Sequence, residues 1–118
     1  MDVFIPMTED GEWRDCLASS SHKPVLVFKH SFRCPISAGA YDELAAWLED
    51  AKGGAPACRL VDVVAHRPVS EAIAQALDVR HESPQAILVA GGKAVWHASH
   101  WDITYSSLDE HLGNYCEK

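Results

Sequence analysis

The four cysteines of this chain, Cys16, Cys34, Cys58 and Cys116, include no Cys-x-x-Cys and no Cys-x-x-His pair. Without such pairs there is no zinc-ligand spacing, and no neighbouring thiol to close a disulfide within one turn. The spacings do not suggest a disulfide framework either. The chain is short of positive charge. Ten Lys and Arg face 17 Asp and Glu, a formal net charge of -7, and no basic cluster offsets it. That argues against a nucleic-acid binder, whose affinity rests on neutralising phosphates. No apolar run approaches the roughly 20 residues that span a bilayer. The start, Met1-Asp2-Val3-Phe4-Ile5-Pro6, has neither a basic n-region nor a long apolar stretch, so no signal peptide and no membrane partner are expected. The cytoplasm is the default compartment, where the cysteines rest as thiols.

What is present is enough for one folded domain, expected over 1–118. Apolar residues make up 47% of it, which excludes disorder. Thr8 is placed to cap a first helix reaching Ser20, with Trp13, Cys16 and Leu17 on one face. Pro24 leads into a buried strand ending at His30. Pro35 opens a second helix, with Ile36, Ala40, Tyr41, Leu44, Trp47 and Leu48 at helical spacing, stopped by Gly53-Gly54. Arg59 to Val64 reads as a second strand, and Pro68 opens a third helix with Val69, Ile73 and Leu77 inward. Two short apolar runs, Ala86–Val89 and Ala94–His97, flank Gly91-Gly92-Lys93 and read as a hairpin. Ser106, with Asp109 three residues on, is the expected cap of a last helix carrying Leu108 and Leu112. Strands separated by a helix pair in parallel with a right-handed crossover. The expectation is an α/β fold: a central mixed four-stranded sheet with helices on both faces, the element order of a thioredoxin-like domain.

Cys34 falls where the first strand hands over to the second helix. At a helix N-terminus, unpaired N–H groups and the helix dipole favour a thiolate over a thiol, and the thiolate is the nucleophile. Arg33 and Lys29 add positive charge nearby, and Pro35 starts the helix directly after it. Ser37 stands three residues on, where its hydroxyl can donate to the thiolate. With serine there, a mixed disulfide formed at Cys34 persists until another thiol arrives. The other reading is a buried structural cysteine that precedes a proline. Ser83-Pro84 stands directly before a strand, the place where thioredoxin-like proteins carry a cis-proline beside the reactive cysteine. An ordinary trans-proline is the alternative.

The remaining candidates divide as follows. Cys16 belongs to the apolar face of the first helix, and Cys58, next to Arg59, fits structure or chemistry. Cys116, beside Glu117, is either a resolving thiol that swings to Cys34 or an incidental tail thiol. Seven histidines show no carboxylate–histidine helix motif, so no metal is expected. His30 is close enough to tune Cys34. Trp101, in a loop after a strand, can border the site, and Asp62 is either a buried proton acceptor or a strand-end acid.

Phe28-Lys29-His30-Ser31 running into Arg33-Cys34-Pro35-Ile36-Ser37, with Ala40-Tyr41 behind, resembles the monothiol bacilliredoxins, the YtxJ-like redox proteins of the bacillithiol system. Asp62-Val63, Arg80-His81-Glu82-Ser83-Pro84-Gln85 and His97-Ala98-Ser99-His100-Trp101-Asp102-Ile103-Thr104 carry the likeness along nearly the whole chain. The resemblance implies a thioredoxin-like fold and removal of bacillithiol from protein mixed disulfides. Cys34 would be the nucleophile, Pro84 the cis-proline, and Ser37 the replacement for a resolving cysteine. Bacillithiol would be co-substrate, with no bound cofactor, and the partners would be bacillithiolated proteins and a low-molecular-weight thiol. Arg33 departs from the threonine that the family often has before its cysteine. It adds charge that favours the thiolate and suits the malate carboxylates of bacillithiol. Two rival functions stay open. One is a cluster-binding module like the monothiol glutaredoxins, although their Cys-Gly-Phe-Ser glycine is absent here. The other is a thioredoxin-like interaction domain with an inert cysteine.

Overall fold

Val25–His30 is buried at all six positions, which requires helices on both faces of the strand it forms. The computed structural model describes residues 3–51 and 53–116. Met1, Asp2, Lys52, Glu117 and Lys118 lie outside that description, and with them the acid next to Cys116. The strands are β1 (Phe4–Pro6), β2 (Val25–His30), β3 (Ala57–Asp62), β4 (Gln85–Ala90) and β5 (Lys93–Ser99). The helices are α1 (Asp10–Ser19), α2 (Pro35–Asp50), α3 (Arg67–Leu77) and α4 (Tyr105–Leu112), with single 3-10 turns at His100–Asp102 and Gly113–Tyr115.

Among the described residues the strands make one sheet in the order β1-β3-β2-β4-β5. β2 pairs in parallel with β3, as expected for a strand–helix–strand crossover, and antiparallel with β4. β4 and β5 form the anticipated hairpin. Gly91 and Gly92, at φ 60° and 76°, take the two left-handed positions of its turn. The sheet has five strands where four were expected. The added one, β1, is an edge strand pairing in parallel with β3, with only Phe4 of its three residues buried. Three residues ending in proline give no period from which to read a strand.

Alternation along β2 divides the interior. Leu26 and Phe28 meet Ala40, Leu44 and Trp47 of α2 and Leu108 and Leu112 of α4. Val25 and Val27 meet Trp13 and Cys16 of α1 and Val69 and Ile73 of α3. Two caps differ from expectation. At α1, Glu9 is the cap residue, and the Glu12 carboxylate accepts from the N–H groups of Thr8 and Glu9 and from the Thr8 hydroxyl. At α4, Thr104 is the cap: Ser107 N–H donates to Thr104 Oγ1 at 3.1 Å and Ser107 Oγ takes Thr104 N–H at 3.2 Å. Serine in third place closes the reciprocal pair two residues earlier than Ser106 and Asp109 would.

Candidate active site

Four loops meet at the end of the sheet where β2 finishes. They are 31–34 after β2, 63–66 after β3, 78–84 before β4 and 100–104 after β5. Cys34 is the cap residue of α2, with φ -110° and ψ 122°, outside the helix but half-exposed at its mouth. Its N–H donates to Ser31 O at 3.3 Å, and its carbonyl accepts the first helical bond from Ala38 N–H at 3.0 Å. Pro35 has no N–H to leave unpaired, and the N–H groups of Ile36 and Ser37 lack helical acceptors. No acidic residue stands in the first turn of this 16-residue helix. An anion at Cys34 therefore meets the positive end of the dipole without competition.

Arg33 is exposed and its guanidinium has no ion pair among the described residues. Phe32, 64% exposed, sets its ring edge-on to His30 at 4.3 Å. The Ser83–Pro84 peptide is cis, as the resemblance implied, and the Pro84 carbonyl accepts from His100 N–H at 3.0 Å. That bond ties the segment before β4 to the loop after β5, where His100 holds a left-handed φ of 53° and Trp101 is 74% exposed. A cleft of about 470 Å³ opens beside this loop, lined by Trp96, Trp101, Asp102 and His111.

Ser37 is fully buried, and its hydrogen bonds go to the strand end. Ser31 N–H donates to its oxygen at 3.0 Å, and His30 Nδ1 lies 2.7 Å from the same oxygen. In the neutral ring with its hydrogen on Nε2, Nδ1 accepts a hydrogen bond from the Ser37 hydroxyl, whose oxygen in turn accepts from Ser31 N–H. Burial pushes His30 below its ordinary pKa and keeps the ring neutral, against a smaller opposing pull from Asp62. His30 packs against Phe28 and Tyr41 at 5.3 and 5.1 Å. The result is a clamp that fixes the cysteine loop to the first turn of α2. Sequence spacing brought His30 and Ser37 into the neighbourhood of Cys34 without showing that they bond to each other.

Lys29 does not act as a surface charge beside Cys34. Its side chain is fully buried on the α3 face, and its ammonium lies 3.2 Å from His81 Nδ1. Asp62 ends β3 and accepts from Val64 and Ala65 N–H groups, both at 3.0 Å, which turns the chain toward α3. Cys16 and Cys58 are buried, and burial raises both thiols above their ordinary pKa. Cys116 is half-buried, with its Sγ 3.8 Å from Leu112 O. The preceding Tyr115 lines a cavity of about 910 Å³ together with Pro24, Val25 and Leu48. That cavity is at the start of β2, about 17 Å of strand away from His30, so the fold does not bring Cys116 to Cys34. Burial, and then the Asp109 carboxylate, push the Cys116 thiol up as well. Among the described residues no three His, Cys, Asp or Glu side chains gather as a metal site, and no helix is long and apolar enough to cross a membrane.

A sequence model of the monothiol bacilliredoxin BrxC matches residues 5–108. A solved thioredoxin-fold structure, put forward as an oxidoreductase, is 35% identical, with a TM-score of 0.81 over 92% of each chain. Thioredoxins share the fold at lower identity. That of Nicotiana alata is 18% identical, with a TM-score of 0.75 over 98% of this chain and 95% of its own. That of Fasciola hepatica is 13% identical, with a TM-score of 0.73 over 93% and 97%. The sheet order, the half-exposed cysteine at the mouth of α2 and the cis-proline facing that end are thus features of a thioredoxin-fold redox protein, and the chain belongs to the monothiol bacilliredoxin family.

Proposed function

We propose that the protein removes bacillithiol from protein mixed disulfides through Cys34. The carrying observation is the isolation of that thiol. Cys34 is half-exposed at a helix mouth free of acids, Cys16 and Cys58 are buried, and Cys116 is at the other end of the sheet. Membership of the monothiol bacilliredoxin family supports bacillithiol mixed disulfides as the substrate class.

In the first step the Cys34 thiolate attacks the bacillithiol sulfur of the mixed disulfide. That S–S bond breaks, the target protein leaves as its thiolate and takes a proton, and a new S–S bond joins Cys34 to bacillithiol. Ser37 offers no second thiol, so the intermediate waits. In the second step an external thiolate, from free bacillithiol or a partner's cysteine, attacks the bacillithiol sulfur and Cys34 leaves as thiolate. Exchange is fastest for an attacking thiol that balances thiolate fraction against nucleophilicity. Arg33, Pro35 and Pro84 line the approach: Arg33 as a free cation suited to carboxylates, Pro35 by opening the helix without a spare N–H, and Pro84 by shaping the facing wall. Bacillithiol serves as co-substrate, no bound cofactor is needed, and a reducing cytoplasm is the compartment that keeps Cys34 ready.

The test is intact mass after mixing the protein with a model protein–bacillithiol mixed disulfide, wild type beside Cys34→Ala. Target release with bacillithiol gained by wild type alone supports the proposal. No transfer, with Cys34 still alkylated rapidly, redirects it to another thiol substrate. No transfer and slow alkylation leaves an interaction domain, and visible absorbance of the purified protein would favour the cluster-binding rival.

A further inference from the structure

Lys29 is a fully buried lysine in the central strand, on a face otherwise built from Val25, Val27, Val69, Ile73 and Ile87. Sheet packing gives no reason for an ammonium there, since an apolar side chain of similar length would fill the space without losing hydration. The ammonium has a specific destination. It meets His81 Nδ1 at 3.2 Å, and Ser70 Oγ of α3 meets the same nitrogen at 3.1 Å. Three elements converge on one imidazole: β2, α3 and the segment 78–84. Nδ1 can accept from an ammonium only when it carries no proton, so His81 is neutral with its hydrogen on Nε2. Burial, Lys29 and Arg67 all push His81 below its ordinary pKa, in agreement.

The same segment is tied down elsewhere too, first where it leaves α3, the N–H groups of Asp78 and Val79 both donating to Ala74 O. Gln85, paired with Lys29 across the strands, donates from Nε2 to Arg80 O at 3.0 Å, and His100 N–H donates to Pro84 O. Two buried oxygens in and next to it, Ser83 Oγ and Gln85 Oε1, have no hydrogen-bond partner among the described residues. Among the side-chain bonds to this segment, the one from Lys29 is charge-assisted and so among the stronger.

We propose that Lys29 is a positioning residue, whose charged ammonium anchors His81 and so holds the segment bearing Pro84 in place against the cysteine loop. The consequence is a window in pH. Acid protonates His81 and sets two donors against each other. Alkali neutralises Lys29, which burial brings down to about 8. The other charges facing this pair are Arg67 and Glu71 of α3, bonded to one another at 3.2 Å, and Glu82 next to His81. Asp62 of β3 pairs across to His30.

The inference rests on Cys34 being the exchanging thiol, so the test carries one readout independent of turnover. Hydrogen exchange of the His100 amide, which donates to Pro84, reports the segment directly. Single-turnover attack of Cys34 on a small aromatic disulfide, followed from pH 5.5 to 10, reports its effect without any resolving thiol. Lys29→Met should lose protection at His100 and slow attack about tenfold, the size of one charge-assisted bond. It should also replace the wild-type decline above pH 8 with a plateau. His81 is exposed, so its variants keep the fold: His81→Leu should reproduce the loss, and His81→Asn, which restores an acceptor near Nδ1, should recover part of it. Unchanged His100 protection, or an unchanged pH profile in both Lys29→Met and His81→Leu, overturns the inference. If His100 protection falls as expected but wild type does not accept bacillithiol substrates, positioning stands and the substrate assignment falls.

Discussion

Replacing Lys29 with methionine separates what the fold prefers from what the site uses. Burial takes the Lys29 pKa from 10.5 to about 8. Between those values the unfolded chain holds a proton that the folded chain has released, so stability rises with pH across that interval. Below pH 8 the fold bears the full cost of the buried charge, about 3 kcal/mol. Methionine escapes that cost but gives up the bond to His81, about 1.5–3 kcal/mol for a charged donor. The two nearly cancel at pH 7, and the informative quantity is how the difference changes. Urea unfolding of both proteins under reductant at pH 7, 8, 9 and 10.5 should show wild type gaining about 3 kcal/mol on the variant across the series. Buried Cys16 and Cys58 titrate in the opposite sense in this range, but they are common to both proteins and drop out of the difference. A difference flat to within about 0.5 kcal/mol, well below the linkage expectation, would mean that no charge is buried at position 29 at neutral pH, and the reasoning about His81 would go with it.

Four further outcomes follow from the same geometry. Cys116→Ala should keep single-turnover bacillithiol transfer and leave the bacillithiol adduct on Cys34 equally long-lived by intact mass, because the fold sets Cys116 at the other end of β2; a longer-lived adduct would make it the resolving thiol. Ser37→Ala strips partners from His30 Nδ1 and Ser31 N–H in a buried place, so it should cost about 1–3 kcal/mol in chemical denaturation and loosen the cysteine loop, read as faster amide exchange at Ser31. His30 has a depressed pKa when folded, so its contribution is fully present above pH 6.5 and is lost as pH falls through the lower folded value; the His30→Asn variant should show a shallower loss of stability on acidification. Thr104→Ala removes the cap of α4 and should lower stability by about 1 kcal/mol.

How far the chain could be read in advance depended on whether a feature was local. The strand-to-helix handover at Cys34, the hairpin glycines and the proline before β4 are short-range signals, and each lies in the structure where its residues place it. β1 escaped because three residues at a sheet edge have no period, and what makes them a strand is the neighbouring β3. Ser37 illustrates a subtler limit. A cap residue and the third residue of its helix lie side by side, so spacing pairs Cys34 with Ser37, but it does not show that the buried Ser37 hydroxyl is already engaged by the end of β2. The serine answers to His30 across the sheet–helix interface instead. Lys29 and His30 are adjacent in β2, so alternation sends them to opposite faces, one toward α3 and the 78–84 segment, the other toward α2. From the sequence they look like one basic pair beside a cysteine. In the fold they are two separate supports, His30 steadying the loop that carries the thiol and Lys29 the wall that faces it. A reaction at a single thiol needs both sides of the approach held still, and two neighbouring polar residues at the end of a strand covered on both faces can hold both.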